Sequence, residues 1–167
     1  MNIRLEPLSP DLLEKARQWR NADHVRLRFE YQKIIDPETH LRWFRNLDLR
    51  TNHYLVVLVE EEPIGIVHIK DIDWETKEGE AGVYIGELAW LGRPEPAQAV
   101  VKMMHWAFSE LGLESLVAKV KADEEKVVRF NYQLGYQKIG EASESGFQRF
   151  RCYKADFMQR FGRMKGG

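Results

Sequence analysis

The chain contains one cysteine, Cys152, which excludes an internal disulfide and any cysteine-rich metal centre, and fits a reducing compartment. No apolar run approaches the roughly 20 residues that a membrane-spanning helix needs. The N-terminus MNIRLEPLSP lacks the basic flank and apolar stretch of a secretory signal. These absences read as a cytoplasmic chain with no membrane partner. Neither sign of charge dominates, with 25 Lys and Arg against 26 Asp and Glu, so nucleic acid is a poor candidate partner. Repeats, low-complexity tracts and Pro/Ser/Gly-rich linkers are missing too. The 167 residues therefore read as one domain over 1–160 and a flexible tail, 161–167 (FGRMKGG).

What is present is a regular alternation of strand and helix signals. Ile3 and Leu5 alternate with charges and end at Pro7, a first strand. Ser9-Pro10 opens a helix to about Asn21, with Leu12, Ala16 and Trp19 along one face. Asp36-Pro37 repeats that cap chemistry and predicts a helix through Asp48. Tyr54 to Val59 and Ile64 to Ile69 are β-rich runs joined by a polar turn, and a third strand runs from Glu80 to Ile85. A helix from Pro96 to Leu111 follows, stopped by Gly112. Then come a strand through Leu116, Ala118 and Val120, a helix from Glu124 to Leu134, and strands at Tyr136 to Ile139 and Phe147 to Tyr153. Strands in a run followed by alternating strand and helix predict a mixed sheet flanked by helices.

Chemistry concentrates between Gly82 and Phe108, where a strand passes through the turn LGRPEP into a helix N-terminus. Backbone N–H groups and the positive end of the helix dipole meet there, a geometry suited to a pyrophosphate. Pro94 and Pro96 subtract N–H groups from that turn, and in the bland reading PEP is simply a stiff helix start. Arg93 offers a compensating guanidinium. Asp71 and Asp73 bracket Ile72 without a nearby histidine or further acids, so no metal site is expected. Cys152 reads as a small packing residue.

The order of elements, the turn after YIG and the segment ending NYQLGY resemble the GNAT superfamily of acyl-CoA N-acyltransferases. The N-terminal third carries the finer signal: WRN at Trp19 to Asn21, VR at Val25 and Arg26, His40 followed by Trp43 and Phe44, then PIG at Pro63 to Gly65. These resemble the branch that acetylates amino groups of nucleotide-linked sugars, as in pseudaminic acid synthesis. The resemblance implies an α/β (α+β) single domain. Its central sheet is mixed but mostly antiparallel, of about six to seven strands flanked by about four helices, and a splayed strand pair forms the coenzyme cleft.

It also implies acetyl-CoA as cosubstrate and a small-molecule amine as acceptor, in a monomer or homodimer. The thioester carbonyl and pantetheine would be held by backbone groups of Tyr84, Ile85 and Glu87. The pyrophosphate would be held by Gly92, Arg93, Glu95 and Ala97, which keep their N–H. Asn131 falls where the family carries a tyrosine that protonates the leaving thiolate, and Tyr132 lies one place later, a rotation of about 100° on a helix. Candidate acid–base groups are Glu80, Tyr84 and Tyr132, with His68 beside them on the preceding strand. Substrate contacts would come from Arg26, Phe29, His40, Trp43 and His68; Arg20 reads as half of a surface ion pair. Three functions stay open: acetyl transfer to an amino sugar linked to a nucleotide, an impaired GNAT-like domain that binds a sugar nucleotide or protein partner, and acetylation of a protein N-terminus or amino-acid amine.

Overall fold

A computed structural model describes residues 1–162. The elements in chain order are β1 (Ile3–Pro7), α1 (Pro10–Asn21), α2 (Asp23–Arg26), α3 (Pro37–Arg45), β2 (His53–Val59), β3 (Glu62–Asp73) and β4 (Glu78–Ile85). They continue with a 3-10 turn (Leu88–Trp90), α4 (Pro94–Ser109), β5 (Ser115–Lys121), α5 (Glu125–Leu134), β6 (Gln137–Ile139), β7 (Phe147–Tyr153) and α6 (Lys154–Phe161). The strands form one seven-stranded sheet in the order β1-β2-β3-β4-β5-β7-β6. Every neighbouring pair is antiparallel except β4 with β5. The fold is the mixed, mostly antiparallel α/β sheet that the resemblance implies.

Helices cover both faces, which is why β2 reads as a continuous apolar run rather than an alternation. Val57, Val59, Val67 and Ile69 join Met103, Met104, Ala107 and Phe108 of α4 in the larger core, which also takes in Phe157 of α6. Val56, Leu58 and Ile66 point the other way and pack with Ala16 and Trp19 of α1. Local signals fix the ends of the elements. Asp36 caps α3 by accepting the Thr39 N–H at 2.8 Å, a bond worth about 1 kcal/mol. Gly135 closes α5 at φ 109°, a left-handed turn that lets Tyr136 N–H reach the Asn131 carbonyl at 3.0 Å.

Several expectations need correction. Ser9 makes no side-chain cap, because Leu12 N–H bonds the Ser9 carbonyl instead. Helix α3 stops at Arg45, and Asp48 instead accepts bonds from Arg50 in the following turn. Strand β3 continues to Asp73 through a bulge, where Asp71 takes φ 53°. Helix α4 begins at Pro94 and ends at Ser109, so Leu111 packs against the core from outside the helix. The described residues contain six α-helices rather than about four. Phe161 closes α6 and stacks on Phe157 at 5.1 Å, so it is not tail. Residues 163–167 of the expected tail lie outside the described residues.

Candidate active site

Strands β4 and β5 pair only from Glu78 to Glu80, matched with Ser115 to Val117. Beyond that point β5 stays on β7 to Lys121, while β4 stays on β3 to Ile85. The two strands therefore diverge, and a cleft opens. Glu78 ties its closed end by accepting Ser115 Oγ at 2.6 Å from β5, and Arg151 Nε at 2.7 Å and Nη2 at 3.1 Å from β7. The bidentate Arg151 bond holds the Glu78 carboxyl below its ordinary range.

Past the closed end, the outer edge of β4 has no strand partner. Gly86 N–H bonds the Ile64 carbonyl at 2.9 Å on the β3 side, and the alternation of an antiparallel ladder assigns Tyr84 and Gly82 to the same side. Val83 and Ile85 then face the cleft with both N–H and carbonyl. The expected donors change accordingly. Ile85 stays, Tyr84 leaves as a backbone donor, and Glu87 N–H is spent on the Ile64 carbonyl at 3.2 Å. Val83, which the sequence reading missed, takes their place. The Glu87 side chain accepts the Trp19 indole N–H at 2.9 Å and pairs with Lys15 at 3.5 Å, fastening α1 to the end of β4.

The N-terminus of α4 closes one end of the cleft. Arg93 is the N-cap, so Pro94 and Pro96 stand among the positions whose N–H groups a helix leaves unpaired. Arg93 N–H bonds the Trp90 carbonyl at 3.3 Å, and helical register hands Ala97 N–H to the Arg93 carbonyl. The expected set of Gly92, Arg93, Glu95 and Ala97 thus shrinks to the amides of Gly92 and Glu95. The Arg93 guanidinium supplements them, lying 4.2 Å over the Trp90 ring with Nη2 3.6 Å from Glu95 Oε1. Glu95 itself lies on the buried stripe of α4 with Ala99 and Met103, and its Oε2 has no hydrogen-bond partner among the described residues.

A cavity of about 790 Å³ connects this end to the wall formed by α1, α2 and α3. In that wall Arg20 carries the charge. Its guanidinium carbon sits 3.9 Å from the Phe29 ring centroid, Nη2 donates to the Tyr31 carbonyl at 2.9 Å, and Nη1 is buried without a partner. Burial holds the Arg20 pKa below its ordinary value. Arg20 is thus not a surface ion pair, because no carboxylate meets it among the described residues. A row of rings runs beside it, with His40 to Trp43 at 5.1 Å, Trp43 to Tyr54 at 4.8 Å and Tyr54 to His68 at 5.2 Å. Tyr84 lines the same cavity and meets Phe29 edge-on at 5.9 Å.

Desolvation pushes His68 down to about 3 and Tyr54 up to about 12, and raises Tyr84 further. All three are therefore neutral at physiological pH. His68 Nδ1 is buried with no partner. Its ring lies over Gly82, where an added Cβ would come within 2.4 Å of the imidazole, so glycine is required there. Glu80 pairs with Lys70 at 3.2 Å.

Five of the expected site residues do not line the cavity: Glu87, Gly92 and Glu95, placed above, and Arg26 and Tyr132. Arg26 spends its donors on Asn21 O, Gln32 O and Asp23 Oδ1 at 3.3, 2.7 and 2.8 Å, folding its own loop. Tyr132 is 44% exposed and meets Phe150 edge-on at 5.9 Å, which removes it as a proton donor. Asn131, one residue earlier, is buried and lines the cavity. His24, Tyr54 and Lys70 line it too and were missed in the sequence. No group of His, Cys, Asp and Glu able to hold a metal ion occurs among the described residues, and no described helix is long and apolar enough to cross a membrane.

Comparison with known proteins fits this geometry. The acetyltransferase (GNAT) domain family matches residues 2–137. The chain is similar to Acetyltransferase PseH of Campylobacter jejuni, 32% identical over 118 residues that span 70% of this chain and 71% of that protein. It is also similar to the uncharacterized N-acetyltransferase p20 of Bacillus licheniformis, 28% identical over 96 residues, 57% and 53% of the two chains. Among solved structures, spermidine N-acetyltransferase from Vibrio cholerae in complex with CoA and spermine superposes with a TM-score of 0.83. That match covers 93% of this chain and 98% of that one at 14% identity, a likeness of fold.

Proposed function

Because the chain belongs to the GNAT family of acetyltransferases, we propose that it transfers the acetyl group of acetyl-CoA to the primary amine of an amino sugar linked to a nucleotide. The carrying observation is Arg20, a half-buried cation that lines the cavity with no carboxylate partner and whose buried Nη1 is unpaired. Burying an unpaired charge is unfavourable unless an anion arrives to meet it. A nucleotide diphosphate supplies that anion, and Phe29 and Trp43 supply ring faces for a base or sugar. A polyamine would instead bring more positive charge to Arg20 and Lys70.

The coenzyme fits what the chain offers. Thioester chemistry supplies an activated acetyl group when acetyl-CoA is bound. The cleft-facing N–H groups of Val83 and Ile85 are donors for the developing oxyanion and for the pantetheine arm. Asn131 can donate a hydrogen bond from the opposite wall. Arg93 with the Gly92 and Glu95 amides is the anion end. His68, neutral at physiological pH, lines the same cavity beside Tyr54. Release of coenzyme A needs no dedicated acid, since thiols titrate near about 8.5.

A product assay tests the reading. Purified chain is incubated with acetyl-CoA and a uridine-diphosphate-linked amino sugar, spermidine or a short peptide, and products are weighed by mass spectrometry. Acetylation of the nucleotide sugar is expected. Turnover of spermidine or peptide with none of the nucleotide sugar would replace the assignment.

A further inference from the structure

The geometry points to His24 as the group that takes the proton from the attacking amine, a role resting on the acetyl-transfer reading but not on the acceptor being a sugar. His24 belongs to the four-residue helix α2 and lines the cavity, with Nε2 3.0 Å from the Ile85 carbonyl oxygen. A carbonyl only accepts, so Nε2 must be the protonated nitrogen. The neutral ring then carries its lone pair on Nδ1, which meets no partner among the described residues. Ile85 is also one of the two residues whose N–H faces the cleft. One residue thus orients the base through its carbonyl and offers a donor to the acyl oxygen through its amide. This is base–orienter geometry with a backbone carbonyl in place of a carboxylate.

The other basic groups of the cavity are occupied or unsuited. Glu80 is paired with Lys70 at 3.2 Å, and Glu124 with Arg28 at 3.6 Å. Burial pushes His68 down to about 3, and His40, also buried in the cavity wall, is held below its ordinary value by desolvation and by Arg17. Around His24, the charged groups lining the cavity are Arg20 from α1, Arg28 and Glu30 after α2, Lys70 from β3, Glu80 from β4, Arg93 before α4, Lys119 from β5 and Glu124 before α5. Lys119 pairs with Glu30 and Arg93 with Glu95, which leaves Arg20 as the cation among them without a carboxylate. In the step itself the amine lone pair forms the C–N bond, the C–S bond breaks and coenzyme A leaves as thiolate. The proton shed by nitrogen goes to His24 Nδ1 and from there to solvent or the thiolate, so the sum is amide plus thiol.

The test combines turnover with a reading of the ring itself. On the native chain, ¹⁵N NMR of the histidine rings should find His24 in the Nε2–H tautomer. In His24→Gln, kcat for whichever amine is accepted should fall about 10²- to 10⁴-fold, while the KM for the amine and the acetyl-CoA affinity should each stay within about twofold. Free imidazole should restore part of the rate to His24→Ala. An Nδ1–H tautomer overturns the assignment. So does a His24→Gln variant with native kcat, or one whose rate falls only in step with acetyl-CoA affinity. Acetylation of a peptide alone, with kcat lost in the variant, would remove the sugar acceptor and leave His24 as the base.

Discussion

Replacing Arg20 with alanine should lower kcat/KM for an anionic amine by about a hundredfold while leaving the affinity for acetyl-CoA unchanged. A charge-assisted hydrogen bond is worth about 1.5 to 3 kcal/mol, and about 2.7 kcal/mol corresponds to that factor. The loss should fall mainly on KM, because the contact is to a part of the acceptor that does not react. Lysine should rescue little. It lacks the planar fork that lies over Phe29 while still reaching the Tyr31 carbonyl. Thermal stability should hold or rise in Arg20→Ala, since the native chain half-buries this cation and desolvates its Nη1 without a partner. A residue that the function needs and the fold tolerates poorly has that signature. Steady-state kinetics and a melting curve on the same protein check both halves. A large drop in melting temperature with unchanged kinetics would make Arg20 a structural residue.

Glu78→Gln should destabilise the chain by about 2 kcal/mol at neutral pH, the worth of a charge-assisted pair that is partly open to solvent. Glu78 joins β4, β5 and β7 through Ser115 and Arg151 at the point where the sheet begins to open, so the loss should also loosen the cleft and weaken acetyl-CoA binding. The pH dependence has a definite sign. Hydrogen bonding from Arg151, aided by Ser115, depresses the Glu78 pKa in the folded chain. The stabilisation is therefore fully present above the unfolded carboxyl value of about 4.3, and is lost as pH falls through the lower folded value. Urea unfolding of native chain and variant should show a gap at pH 7 that narrows in acid. A gap that widens in acid would contradict the pairing.

The elements legible in the sequence are those with chemical punctuation. Asp36-Pro37, Gly112 and Gly135 mark helix ends, and the apolar runs of β2 and β3 need no tertiary information. Helix α2 has four residues, too few to carry a period, and α6 follows β7 with no turn residue between them. The extension of β3 hides behind the bulge at Asp71.

In the site, residues given by backbone direction were the hardest to read. Whether Tyr84 or Val83 faces the cleft depends on strand register, which only the Gly86 to Ile64 bond decides. Arg20 left a signal that was overlooked. It continues the buried stripe of Leu13 and Ala16 at helical spacing, so its charge lies on the inner face of α1. That nothing pairs it is a fact of three dimensions. Tyr132 went the other way, since the one-residue offset already implied a rotation out of the cleft, and the chain makes no bulge to undo it.

The coenzyme end bears most of the account, because two prolines stand where amides are expected and Arg93 must make up the difference. Calorimetric titration of acetyl-CoA into the native chain and into Arg93→Ala measures this directly. The native dissociation constant should lie well below about a millimolar and weaken in the variant by about ten- to a hundredfold. No heat of binding to the native chain, or equal affinity in both, would contradict it.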